Sequence, residues 1–345
     1  MRPEAVRIDS NPTPEAWDGY VRDHPEASLF HGRSWQRALE RSFRAYRPVH
    51  RIAWRGDRVC GILPLYRVPT LPFGCALVSI PLGVYGGVCA DDEEAARALV
   101  EDANALARSL GARYVELRQE HSLPGLPTKD LYVSFRRAIH PDREANLAEI
   151  PRKQRASIRA GEKRGLTHRT GGAELLPLFY EGFSISMRHL GSPVMPRRFF
   201  ENLLEEYGTQ ASILAVFAQE RMVAGVLSFY HRDMVMPYYA ASTPESAALN
   251  AHDFMYWTLM CHAAERGFRV FDFGRSKKET GPYHFKRHWG FEPTSLPYQY
   301  LLVRQRTMPN LSPTNPRFSL AIRAWQRAPL GLTRWLGPKL LPYFP

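Results

Sequence analysis

The sequence predicts a mixed α+β fold written twice, as two tandem domains of one design. Two internal matches predict it. Residues 58–66 (RVCGILPLY) and 222–230 (MVAGVLSFY) share the pattern Val-x-Gly-Ile/Val-Leu-x-x-Tyr. Residues 111–117 (GARYVEL) resemble residues 267–273 (GFRVFDF). The offset between copies is about 160 residues in both places, the size of a domain and not of a solenoid repeat.

Each copy begins with a hairpin. HRIAWRGD precedes the first shared stretch and SILAVFAQE the second, so strands rich in β-branched and aromatic residues flank a polar turn. A helix follows. In the second copy it spans residues 250–266, with Asn250 and Asp253 placed as a capping-box variant and Phe254, Trp257 and Cys261 forming a stripe that packs on a sheet. Gly267 closes it. The first copy has its counterpart in DDEEAARALVEDANALARSLG, where acidic residues crowd the start, Arg108 stands near the end and Gly111 terminates. A strand then follows each glycine.

The polar connection around Pro141 places a boundary near residue 150. The expected domains are 1–150 and 151–305, followed by a basic aromatic tail over 306–345. The tail carries Phe318, Trp325, Trp335 and Tyr343 among Arg and Lys residues, and Pro329, Pro338 and Pro342 prevent one long helix. That mixture suits either an anionic membrane surface or a packed extension of the second domain.

With 345 residues, 44% of them hydrophobic, the chain can bury two cores, which excludes a disordered protein. The net charge of +12 favours an anionic partner: nucleic acid, a phosphorylated metabolite or an acidic membrane. Cys60, Cys75, Cys89 and Cys261 contain no C-x-x-C pair, so neither a zinc cage nor a disulfide framework is indicated. The N-terminus lacks the apolar core of a signal peptide, and no stretch is long and uncharged enough to span a bilayer. The expected location is the cytoplasm, with peripheral contact at the inner membrane.

The stretch FDFGRSKKETGPYHFKRHWGFEP, residues 271–293, resembles the closing segment of FemAB-like proteins of the GNAT superfamily. Looser likeness runs through the helix around Trp35, the GILPL hairpin, FGCALVSIPLGVYGGV and IPRKQRASIRAGEKRGL, in the manner of FemAB-like proteins found with exosortase and exopolysaccharide loci. The resemblance implies two GNAT-like folds. It also implies transfer of an acyl or aminoacyl group to an amine of a cell-envelope, peptidoglycan or exopolysaccharide precursor, without a metal or a tightly bound cofactor. The implied donor is aminoacyl-tRNA or acyl-CoA, and the implied acceptor is a phosphorylated or lipid-linked sugar. The family's Phe-Lys pair maps onto Phe285 and Lys286, the lysine stabilising charge during acyl transfer. A family tyrosine maps onto Tyr239 in PYYAAS, where Pro237 replaces a second aromatic.

Acyl transfer to an amine requires a neutral nucleophile, a positioned carbonyl and a group that stabilises the oxyanion. Lys286 suits the last role. Asp272 is a candidate base, but Glu116 holds the equivalent place in the first copy, so a shared task such as pairing with an arginine fits equally. His252 and His284 are alternatives by intrinsic pKa, and a water relay serves as well. Arg275, Lys277 and Lys278, with Tyr283, His284 and Phe285 beyond them, are expected to bind the acceptor at a strand end. Arg155 and Arg159, in a basic segment closed by Gly165, form a second phosphate-binding candidate or a solvated helix. Tyr85, Gly86 and Gly87 form a groove wall or a tight turn. No glycine occurs in STPESAALNAHDF, where a coenzyme A enzyme of this class cradles pyrophosphate; that favours another donor. A non-catalytic GNAT scaffold that binds RNA or an anionic membrane is the competing function, since fold does not guarantee activity.

Overall fold

The computed structural model describes residues 4–71, 73–309 and 319–345. Phe318 and the Pro- and Asn-rich stretch 310–317 of the tail lie outside them. Two compact units divide the chain. Unit 1 takes residues 4–130, 296–309 and 340–345, and unit 2 takes residues 131–295 and 319–339. The first division therefore falls at residue 130 instead of near 150, and the tail expected as one segment is shared between the units.

Unit 1 opens with β1 (Val6–Asp9), α1 (Pro14–Asp23), α2 (Arg33–Ser42), β2 (Arg47–Pro48), β3 (Arg51–Arg55) and β4 (Arg58–Leu63). It continues through β5 (Leu65–Pro69), β6 (Cys75–Ser79), β7 (Cys89–Ala90), α3 (Glu93–Ser109) and β8 (Tyr114–Arg118). The expected hairpin is β3–β4, turned at Gly56, whose φ of 58° a side chain would resist. β1, β3, β4 and β7 form a four-stranded sheet. Helix α3 is capped at Asp92, whose carboxylate accepts the Ala95 N–H, and closes at Gly111 with φ 64°. Its small, apolar face of Ala95, Leu99, Ala103 and Ala107 packs against Cys60, Leu63, Leu77 and Val115. A leucine so buried contributes about 2 kcal/mol.

Unit 2 contains β9 (Thr128–Ala138), α4 (Arg143–Glu149), α5 (Arg152–Lys163), β10 (Thr167–Gly171), α6 (Leu176–His189), α7 (Arg197–Tyr207) and β11 (Ala211–Ala218). β12 (Arg221–His231), β13 (Met234–Ser242), α8 (Ala251–Glu265), β14 (Val270–Lys277) and α9 (Gly281–His288) follow. Its strands run in the order β10-β11-β12-β13-β14-β9. Alternation along β11 and β12 sends Leu214, Val216, Ala224 and Val226 to the core around α8, while Gly225, between two of them, faces Phe179 of α6. Helices therefore cover both faces. β15 (Pro293–Leu302) carries the chain back into unit 1, where it pairs antiparallel with β8. The tail forms α10 (Ser319–Arg327) and α11 (Leu330–Leu340), broken at Pro329 as expected, while Pro338 stands inside α11 and does not break it.

The cap expected at Asn250 is not formed. Asn250 adopts φ 56° and makes no side-chain cap bond; its Oδ1 accepts from Arg164 instead. Helix α8 is buried nearly all round and not only along the expected stripe, because α5 covers its outer side. Gly161 is the point of approach, where a Cβ would come within 3.0 Å of Phe254. Among the described residues no helix is long and apolar enough to cross a membrane.

Candidate active site

The candidate site of unit 2 begins with a pair of parallel strands. β13 and β14 pair only at Met234–Val270 and Val235–Phe271, although both strands continue well beyond. Parallel neighbours normally share an evenly spaced ladder. Here the later residues on the facing edges are not paired to each other.

Each of these strands carries a bulge on its other side. In β13, Leu227 faces Tyr239 and Ser228 faces Pro237, which leaves Tyr238 as the extra residue. Pro237 supplies no N–H and fits the irregularity. In β14, Asp272 faces Arg136 and Arg275 faces Ser134, so the register slips across Phe273 and Gly274. Gly274 has φ 63°, open to glycine at little cost.

Two buried charges hold the β14 bulge. Asp272 is fully buried; Oδ1 accepts the Gly274 N–H at 2.6 Å, and Oδ2 accepts from Nε and Nη2 of Arg136 at 3.1 and 3.0 Å. Lys286, on α9 and 8% exposed, donates to the carbonyls of Phe273, Gly274 and Arg275 at 2.7, 3.2 and 3.3 Å. Burial pushes its pKa down to about 7, with Arg275 adding to the fall and Asp272 opposing it. An ammonium has three N–H bonds, and all three carbonyls are matched in the charged form. Lys286 thus acts on the strand backbone, not on open solvent. A cation on those carbonyls polarises their peptide units and strengthens the donors of the next residues.

The other predicted residues are distributed around this corner. Tyr283 is buried against Phe135, whose ring also lies 5.6 Å from the Lys286 ammonium. Phe285 packs with Tyr256, Phe273 and Trp289, so its task is to seat α9. His284 is exposed, 3.5 Å from Glu279. Arg275 is exposed and stacks over Tyr132 at 4.6 Å, and Lys277 and Lys278 are half-buried after it. Tyr239 lies apart, on β13, among Phe183, Phe199 and Phe200. Arg155 and Arg159 sit on α5, half-buried and exposed respectively. Burial lowers the pKa of His252, favouring the neutral imidazole.

Both members of the repeat use their acid for an arginine. Asp272 binds Arg136, and Glu116 binds Arg118 Nε at 3.0 Å while accepting from the Tyr300 hydroxyl. Arg136, Phe135 and Tyr132 are site residues that sequence reading missed. All three stand on β9, a strand remote in sequence from the motif.

Several backbone N–H groups of the turn between β13 and α8 are already engaged. The N–H groups of Ser246, Leu249, Asn250 and Ala251 donate to carbonyls within the turn, and the Thr243 N–H to the Ser246 hydroxyl and the Val223 carbonyl. Glu245 adds a carboxylate there.

Residues 152–287 match the model of the Acetyltransferase (GNAT) domain, a span running from the start of α5 to just past Lys286. No curated protein matches the chain by sequence. Among solved structures, FemX shares 16% identity with a TM-score of 0.63, covering 92% of this chain and all of its own. The C-terminal domain of a putative lysylphosphatidylglycerol synthetase from Agrobacterium fabrum follows with 13% identity and a TM-score of 0.55, over 95% of this chain and 96% of its own. A tandem GNAT protein from the clavulanic acid biosynthesis pathway has 13% identity and a TM-score of 0.53, over 88% of this chain and all of its own. Residues 152–287 therefore match a GNAT acetyltransferase domain, and the chain has the tandem GNAT fold shared by these structures.

Proposed function

We propose that unit 2 transfers an acyl or aminoacyl group directly to an amine of a phosphorylated or lipid-linked cell-envelope or exopolysaccharide precursor. One observation supports it above the rest: the facing edges of β13 and β14 part after two residue pairs, beside a bulge tied by Asp272 and Lys286. The donor carbonyl enters between the strands, and its developing oxyanion meets peptide N–H groups strengthened by the ammonium. Lys286 is then a positioning residue, and Asp272, saturated by Arg136 and Gly274, keeps the bulge in shape instead of taking the amine's proton. Arg275, Lys277 and Lys278 supply positive charge for the acceptor's phosphates. The engaged amides of Ser246, Leu249, Asn250 and Ala251 narrow the cradle for coenzyme A, so aminoacyl-tRNA stands beside acyl-CoA as donor.

Purified protein mixed with labelled aminoacyl-tRNA or acyl-CoA and an amine acceptor separates the two donors, since only the first transfer is lost with ribonuclease. Lys286→Ala is expected to lower kcat by about a hundredfold, the scale of losing one oxyanion donor. Unchanged turnover would remove the mechanism.

A second proposal concerns location: peripheral contact with an anionic inner membrane from the cytoplasmic side. It is supported by where unit 2 leaves large apolar side chains exposed. Leu178 and Leu190 lie on and just after α6, Leu320 on α10, and Leu332 and Trp335 on α11. Residues 319–345 contain no acidic side chain.

A further inference from the structure

Unit 1 repeats the parallel strand pair of unit 2, and a cavity lies beyond it. β6 and β8 pair only at Leu77–Val115 and Val78–Glu116. The chain leaves β6 into residues 80–87 and leaves β8 into residues 119–126, and ligands of α/β sheets meet the protein at such carboxyl ends. Residues 80–87 are held in a strained course. Ile80 and Leu82 have φ of 49° and 60°, values a β-branched or bulky side chain rarely takes. Side chains fix the carbonyls in turn: Arg118 donates to Ile80 and Gly83, Trp35 to Pro81, Tyr298 to Val84 and Ser28 to Tyr85. Strain maintained by so many ties is characteristic of ligand sites. Tyr85 and Gly87 are thus a groove wall.

The cavity has a volume of about 520 Å³, within the range of small-molecule sites. Val88, Ala96, Val100 and Leu126 give it apolar walls. Glu26, Glu93, Glu101 and Glu120 also line it, against the cation of Arg97; a further carboxylate, Asp92, is bound by Arg55. That acidic lining runs against the net charge of +12 on the whole chain. A second, independent feature is Gln119. It lines the cavity, is 3% exposed, and its Nε2 has no hydrogen-bond partner. Gly87 makes room for it, since a Cβ there would lie 2.1 Å from Oε1. Buried amides are nearly always partnered, and an unmet one points to a missing molecule.

We propose that this cavity binds a small organic cation, an amine on an apolar body that also carries a polar group for the Gln119 carboxamide. Half a turn about its last torsion exchanges oxygen and nitrogen, so the carboxamide serves a donor or an acceptor. The carboxylates attract an ammonium and repel phosphate, which excludes nucleotides and coenzyme A from this site. The site is independent of the chemistry proposed for unit 2.

Tryptamine and indole-3-propionate have the same indole body and opposite charge. Titrated calorimetrically into the full chain, tryptamine is expected to bind saturably at one site, with the acid at least about tenfold weaker. Glu93→Gln combined with Glu120→Gln removes charge without removing volume and should weaken tryptamine about tenfold. Val100→Trp, which fills the cavity, should abolish binding while circular dichroism confirms the fold. No saturable binding of tryptamine, equal binding of the two compounds, or an affinity unmoved by the paired glutamine variant each overturns the proposal.

Discussion

At the scale of single residues, the site rests on two opposite charges that grip one bulge. Asp272 takes the N–H of Gly274, and Lys286 takes the carbonyls on either side. An asparagine keeps an oxygen for Gly274 but loses the charge that holds Arg136; an alanine loses both. Asp272→Asn should therefore destabilise by about 1–2 kcal/mol and Asp272→Ala by about 3–5 kcal/mol, measured by urea unfolding. Equal losses would mean that the Gly274 bond carries no weight. Lys286 gives a prediction in pH. Its folded pKa is about 7, whereas an unfolded lysine titrates near about 10.4. Between these values the unfolded chain holds a proton that the folded chain does not, so this group makes stability rise with pH. The slope reaches about tenfold in the folding constant per pH unit, and it vanishes below pH 7, where both states are protonated. Lys286→Met removes the rise. Thermal melts at pH 7 and pH 9 with the same increment in both proteins would show that the lysine is not depressed.

At the scale of elements, the hairpins and the helices ending at Gly111 and Gly267 were legible because turn residues and periodicity act locally. The bulges were not. They depend on register against β9 and β12, and nothing in FDFGRS alone tells that Phe273 and Gly274 have slipped past Arg136. The motif Phe285-Lys286 was visible, while its geometry was not: the sequence suggests a cation facing substrate, and the fold turns it onto the strand. The cap at Asn250 failed for a similar reason, since Arg164, at the C-terminal end of α5, takes its side-chain oxygen. The terminal helices give the test of the membrane proposal. Trp325 and Gln326 bind α10 to the carbonyls of Ser192 and His189, which leaves Leu320 outward, 77% exposed. On α11, Trp335 is 62% exposed beneath the Lys339 ammonium. Leu320→Ser with Trp335→Ser should reduce co-sedimentation with phosphatidylglycerol-containing vesicles several-fold, and leave the melting temperature unchanged. Equal retention of the two proteins would remove the terminal helices from any membrane role.

At the scale of the whole molecule, the chain does not divide as two consecutive segments. Unit 1 is completed by strand β15 and by residues 340–345, which are far from it in sequence. This was illegible beforehand because loop closure over such distances leaves no local signature. Its consequence is concentrated on Arg118. This buried guanidinium binds Glu116, the carbonyls of Ile80 and Gly83 and, through Nη2, the Pro345 carbonyl at 2.7 Å. Leu341 is buried beside it in sequence with the last turn, Leu341–Tyr343, that packs on β5. Removing residues 341–345 leaves one face of Arg118 without its acceptor and exposes apolar surface on unit 1. Hydrogen exchange should then accelerate at β5, β6 and β8 by about fivefold to a hundredfold, from a loss of about 1–3 kcal/mol. The amides of β11 and β12 in unit 2 should keep their protection, and a loss spread evenly over both units would show that they unfold as one.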